Sequence, residues 1–108
     1  MDEATDVSEN SETGLPTEFS LAQNYPNPFN NSTVITFDLP AAGQTLLEVF
    51  NVLGQRIAVL IDRRLPVGRQ QVVWNGLSDR GAVLTSGVYF YRFRSGSVSL
   101  VRKMILLK

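Results

Sequence analysis

Asp38, Glu48, Asp62 and Asp79 are the carboxylates from which a pair for glycoside hydrolysis would have to come. Each is also accounted for as a solvent-facing strand residue or a turn former. Nucleophilic catalysis has less to draw on. It needs a nucleophile beside a base, and the chain has no Cys and no His. Its serines and threonines would depend on a carboxylate or on the two lysines, Lys103 and Lys108. No glycine-rich run cradles a phosphate. The expectation is therefore no catalytic residue and no enzyme. Lack of Cys further excludes disulfides and thiolate metal sites.

Oxygen ligands remain. Asn75, Ser78 and Asp79 in Asn75-Gly76-Leu77-Ser78-Asp79-Arg80-Gly81 could bind calcium from a loop. The same residue types turn a chain by bonding nearby backbone, and the turn is the preferred reading, with no metal and no cofactor expected. Asn30-Asn31-Ser32-Thr33 holds two overlapping N-glycosylation patterns, read as chance. The most informative residues are Tyr25 and Phe29, in Asn24-Tyr25-Pro26-Asn27-Pro28-Phe29. Two prolines at alternate positions remove two donors and fix φ, which makes the stretch a rigid, irregular loop. Its rings either cap an open end of the fold or form a recognition surface that costs little ordering on binding. The two readings are compatible.

The elements that must hold this loop are strands. From Phe19 onward apolar residues recur at every second position in short runs broken by Gly, Pro, Asn and Asp. The runs are 19–23, 33–39, 44–52, 56–61, 70–75, 88–94 and 98–107. Leu47 and Val49 share one face of the third. The stretch 62–68 reads as a polar connection and 76–87 as a long loop. In the last run Val98, Leu100 and Met104 fit one face while Val101, Ile105 and Leu107 fit the other, so a bulge is expected. Seven such strands predict an all-β, seven-stranded immunoglobulin-like β-sandwich, with Trp74 between its sheets.

The chain of 108 residues allows one domain. Its formal charge is zero, but residues 1–15 hold Asp2, Glu3, Asp6, Glu9 and Glu12 and no cation. With Val7 and Leu15 as the sizeable aliphatics besides Met1, that segment cannot offset its ordering entropy. It is expected to be a disordered acidic linker (1–15) ahead of an Ig-like domain (16–108). The Arg excess is spread along the rest, and no basic stripe suggests nucleic acid. No apolar run reaches the roughly 18–20 residues that span a bilayer. The N-terminus lacks the features of a signal peptide, so export would need one outside this chain.

Phe19-Ser20-Leu21-Ala22-Gln23-Asn24-Tyr25-Pro26-Asn27-Pro28-Phe29-Asn30 followed by Ser32-Thr33 resembles the opening of the C-terminal sorting domains of the type IX (Por) secretion system. Glu48-Val49-Phe50-Asn51-Val52-Leu53-Gly54-Gln55 is similar to the family's strand and tight turn. Trp74-Asn75-Gly76, Ser86-Gly87-Val88-Tyr89-Phe90-Tyr91-Arg92 and the ending Arg102-Lys103-Met104-Ile105-Leu106-Leu107-Lys108 extend the likeness over residues 16–108. Asn31 departs from it, standing where the family usually has Pro. The central and late segments also resemble the Ig-like domain of flagellar hook-capping proteins.

The resemblance implies a cargo exported to the periplasm on a separate signal peptide and then carried across the outer membrane. The destination would be the cell surface or the medium. Partners would be the outer-membrane translocon, a sortase-like surface protease and the N-terminal cargo domain, with no nucleic acid, and exposed edge strands permit a weak dimer. Asn24 to Phe29 would form the recognition loop and Arg102 to Lys108 a C-terminal sorting strand. Cleavage and exchange for a surface anchor would fall around Asp6, Ser11, Gly14 and Leu15, because nicking concentrates in unstructured segments. A structural or carbohydrate-binding Ig-like accessory module is the competing expectation.

Overall fold

A computed structural model describes residues 14–108. Seven strands follow in order: β1 (Ser20–Leu21), β2 (Thr33–Leu39), β3 (Gly43–Phe50), β4 (Arg56–Leu65), β5 (Gly68–Trp74), β6 (Gly87–Ser95) and β7 (Val98–Leu106). They form two antiparallel sheets, β1-β2-β5 and β4-β3-β6-β7. Among the described residues there is no helix.

Period-two alternation puts one face of each sheet into a shared core. Ile35, Phe37 and Leu39 of β2 meet Leu47 and Val49 of β3, Tyr89, Tyr91 and Phe93 of β6, and Met104 and Leu106 of β7. Phe37 and Phe93 sit 5.1 Å apart between ring centres, within the range in which aromatic pairs add to area burial. Trp74 lies between the sheets as the sequence suggests. Its indole N–H donates to the Leu77 carbonyl at 3.0 Å, so the ring is buried without an orphaned donor.

Two expectations need correction. The stretch 62–68 is not a connection from its start, because β4 runs on to Leu65. Asp62, Arg63 and Arg64 are exposed between the buried Ile61 and Leu65, and pairing with Gly43 to Leu46 of β3 keeps the strand going through this polar sequence. The expected bulge in the closing strand is also absent. β6 and β7 pair without a shift from Gly87↔Leu106 to Ser95↔Val98. Val98, Leu100, Met104 and Leu106 share the inner face, and Val101 and Leu107 are simply exposed apolar residues. The register shifts lie in β3–β4, at Leu47/Glu48 and Val49/Phe50.

The β3–β4 connection is a tight turn. Asn51 Oδ1 accepts the N–H groups of Leu53 and Gln55, and Gly54 takes φ +80°, where a side chain would be strained. In the loop after β5 the oxygens considered for calcium are used on backbone. Asn75 Oδ1 accepts from Leu77, Ser78 Oγ from Arg80 and Ala82, and the Asp79 carboxylate from Val59. Asp79 thereby ties the loop to the edge of β4, in keeping with the turn reading.

Candidate recognition site

The loop between β1 and β2 and the end of β7 are one construction. The loop leaves β1 and crosses to the far sheet running alongside β7. Arg102 Nε donates to the Leu21 carbonyl and Gln23 Nε2 to the Lys103 carbonyl, both at 2.6 Å. Asn27 Oδ1 accepts the Ile105 N–H at 2.9 Å. The Phe29 N–H donates to the Ile105 carbonyl and its carbonyl accepts from Leu107, each at 2.9 Å. Asn30 Nδ2 closes the row on the Leu107 carbonyl at 3.3 Å. Phe29 and Leu106 form a parallel bridge. In an antiparallel ladder alternate residues turn their backbone groups away from the partner strand. At the end of β7 those of Lys103, Ile105 and the following Leu107 face away from β6, and the loop takes the Lys103 carbonyl and both backbone groups of Ile105 and Leu107.

What holds the loop in shape is a buried polar knot. Asn24 is 2% exposed. Its Nδ2 donates to the Pro26 carbonyl at 3.1 Å and to Thr33 Oγ1 at 2.9 Å, and Thr33 Oγ1 donates to the same carbonyl at 2.8 Å. Its backbone N–H donates to the Tyr91 hydroxyl at 2.8 Å, and that hydroxyl donates to the Ala22 carbonyl at 2.7 Å. Burial pushes the Tyr91 phenol pKa above its usual value, keeping the donor on the ring. The Tyr25 backbone pairs both ways with Val34. The Tyr25-Pro26 and Asn27-Pro28 peptides are both cis.

The two aromatic residues of the loop part company here. Phe29 is 2% exposed and packs on Trp74 at 5.7 Å, which itself meets Tyr89 at 6.2 Å. Tyr25 is 79% exposed. Phe29 caps the core, whereas Tyr25 projects from a fixed backbone into solvent. The last strand divides in the same way: Met104 and Leu106 are inaccessible, while Arg102, Lys103, Leu107 and Lys108 are exposed and Ile105 is half-buried. Of the residues expected around a cleavage point, Gly14 and Leu15 are exposed ahead of β1, and Asp6 and Ser11 lie outside the described residues.

The carboxylates considered for catalysis are engaged elsewhere. Asp38 pairs with Arg69 at 2.9 Å, Asp62 accepts from Gln44, and Glu48 binds Arg56 and Arg92 at 3.2 and 3.0 Å. The Glu48 cluster is what the sequence reading missed, since three arginines from two strands converge on it. Its signal was present: the register that puts Leu47 and Val49 inside leaves Glu48 across from Arg92.

A profile of the family described as the secretion system C-terminal sorting domain matches residues 23–107. The chain belongs to this family. Loop, buried tyrosine and last strand all lie inside the match, so the seam is built from residues of the sorting domain itself. As a member, the chain is a secretion signal. No curated protein matches it.

Two solved structures share the fold of this sorting domain, each at 17% identity. Dimeric latent PorU from Porphyromonas gingivalis superposes over 79% of this chain and 9% of its own length, with TM-score 0.62. PorZ, described as an essential bacterial surface component of the type-IX secretion system of that organism, covers 94% of this chain and 12% of its own, with TM-score 0.54. The chain thus spans about a tenth of each. Neither structure bears on the hook-capping kinship expected from the sequence.

Proposed function

We propose that residues 16–108 direct an N-terminally attached cargo across the outer membrane through the type IX secretion system, and that the loop–strand seam is what the machinery reads. The type IX assignment is supported by the sequence resemblance and by the fold shared with PorU and PorZ. The observation that carries the reading of the seam is the hydrogen-bonded row joining Gln23, Asn27, Phe29 and Asn30 to residues 103–107. It locks two segments far apart in sequence into one rigid surface, bearing Tyr25, Lys103 and Leu107, which a partner can bind with little ordering cost.

The module acts by binding and not by catalysis, with the outer-membrane translocon as its first partner. The cargo passes through the periplasm to the surface or medium. The exposed Gly14-Leu15 step ahead of β1 suits release by a surface sortase-like protease and exchange for an anchor.

The test is a reporter carrying a Sec signal peptide at its N-terminus and residues 16–108 at its C-terminus. It is expressed in a type IX-competent bacterium and in a translocon-deficient strain. The reporter is expected at the surface or in the medium only when the translocon is present. Retention of an intact, folded fusion in the periplasm of both strains would overturn the proposal.

A further inference from the structure

The outer face of the four-stranded sheet is unlike a neutral solvent face. Register places Arg64, Asp62, Leu46, Glu48, Phe50 and Arg56 on it from β3 and β4, with Arg94, Arg92, Phe90, Val101 and Lys103 from β6 and β7. Five cations face two carboxylates. On the opposite sheet Asp38 and Arg69 neutralise each other.

The excess charge is ordered. Glu48, with its side chain 3% exposed, draws Arg56, Arg92 and Arg94 to 3.2, 3.0 and 3.7 Å. Arg92 also lies 4.8 Å over the Phe50 ring. Each guanidinium has five N–H donors, and one carboxylate occupies a minority of them. Their rotamers are held by Glu48, so a second anion meets donors whose ordering cost is already met. Beside them an open groove of about 310 Å³ runs between Phe50, Val52, Phe90 and Val101.

The chain carries a complementary stretch. Asp2, Glu3, Asp6, Glu9 and Glu12 precede the described residues without a cation, and Val7 stands near their middle. We propose that this face is a docking surface for an acidic extended segment, and that its occupant is residues 2–12 of the same chain. The carboxylates meet the free donors of Arg56, Arg92 and Arg94, and Val7 enters the Phe50–Phe90–Val101 groove. Thirteen residues reach roughly 45 Å when extended, more than the 25 Å and 19 Å shorter extents of the molecule. A short tether supplies a millimolar effective concentration, at which weak contacts populate a bound state. The bound state draws the stretch ahead of Leu15 onto the sheet and so restricts access to it.

The chain has no cysteine, so Ser8→Cys takes a single nitroxide label. At low salt, paramagnetic broadening should at least halve the amide signals of Phe90, Arg92, Arg94 and Val101. It should vanish at about 0.5 M salt, where the screening length falls to a few ångströms. It should vanish too when Asp2, Glu3, Asp6, Glu9 and Glu12 are all changed to their amides. Broadening confined to residues next to Leu15, or equal on Thr36 and Gln71 of the other sheet, would overturn the proposal. Broadening seen only when labelled and isotope-enriched chains are mixed would overturn it in favour of a second copy's segment.

Discussion

Phe29 and Leu106 lie side by side across a parallel bridge, one ending the loop and the other nearly ending the chain, and both are buried. The loop thus gives the core one ring, Phe29, and turns the other, Tyr25, to solvent from a backbone held by Val34. Phe29→Ala should cost about 3–5 kcal/mol, the usual range for emptying a buried aromatic site. Tyr25→Ala, four residues earlier and largely exposed, should stay within about 0.5 kcal/mol. Urea unfolding of both variants checks this, and a small loss for Phe29→Ala would place the ring outside the core.

Amide hydrogen exchange should report the seam residue by residue. Leu100, Arg102 and Met104 face β6 and should be protected, while Ser99 and Val101 face outward beyond the reach of the loop and should exchange fast. Ile105 and Leu107 also face outward but are held by Asn27 Oδ1 and the Phe29 carbonyl, so they should be slow. Asn27→Ala should speed Ile105 and leave Met104 unchanged. Fast exchange at Leu107 in the intact chain would mean that the seam opens in solution.

The Tyr91 hydroxyl joins the sheets by accepting from Asn24 and donating to Ala22. Tyr91→Phe leaves a buried N–H without its partner, at a cost of about 1–3 kcal/mol. The loss should appear in the denaturant midpoint with little change in slope. A neutral result would show that water replaces the hydroxyl.

Strand identity was legible from the sequence because alternation is local: Thr33–Leu39 matches its expected bounds, and the others shift by a few residues, most at the end of β4. Two things were not. The Val98–Leu107 pattern suggested a bulge, because Val101 and Leu107 are apolar yet exposed, and apolar type alone does not fix a face. Pairing decided the register. The loop and the last strand were each marked as site residues, but their union depends on Gln23, Asn27 and Asn30 bonding backbone about 80 positions away. No periodicity encodes such contacts. Nor does it tell Phe29 from Tyr25, two rings in one loop with opposite burial.

Acid should weaken the fold through two carboxylates. A hydrogen bond from Arg69 lowers the pKa of Asp38 against a smaller cost of burial. For Glu48 burial is the largest single influence and raises it, but hydrogen bonds from Arg92 and Arg56 and the charges of Arg92 and Arg94 together bring it below the usual value. Both folded values therefore lie below the unfolded ones, near pH 4. Below pH 4 the unfolded chain binds more protons, so stability should fall as pH drops through the folded pKa values and stay level above about pH 5. Glu48→Gln should lower stability at neutral pH and flatten the acid limb. An unchanged acid limb would remove Glu48 as a source of acid sensitivity.

Export should separate surface from scaffold within the seam. Removing Met104 to Lys108 takes away two fully buried side chains, so its effect would mix unfolding with loss of recognition. Point changes avoid this. Tyr25→Ser and Leu107→Ser alter exposed groups while keeping the Val34 and Phe29 backbone pairings. Each should leave the melting temperature within about 2–4 °C, as expected for changes below a kilocalorie in a small domain. In the reporter fusion the double variant should cut surface delivery at least tenfold, with folded fusion accumulating behind the outer membrane. Val73→Ser, an exposed apolar residue on the other sheet, should export normally. Full delivery of the double variant would move recognition away from the seam, and equal failure of Val73→Ser would mean that the machinery reads the domain's whole surface.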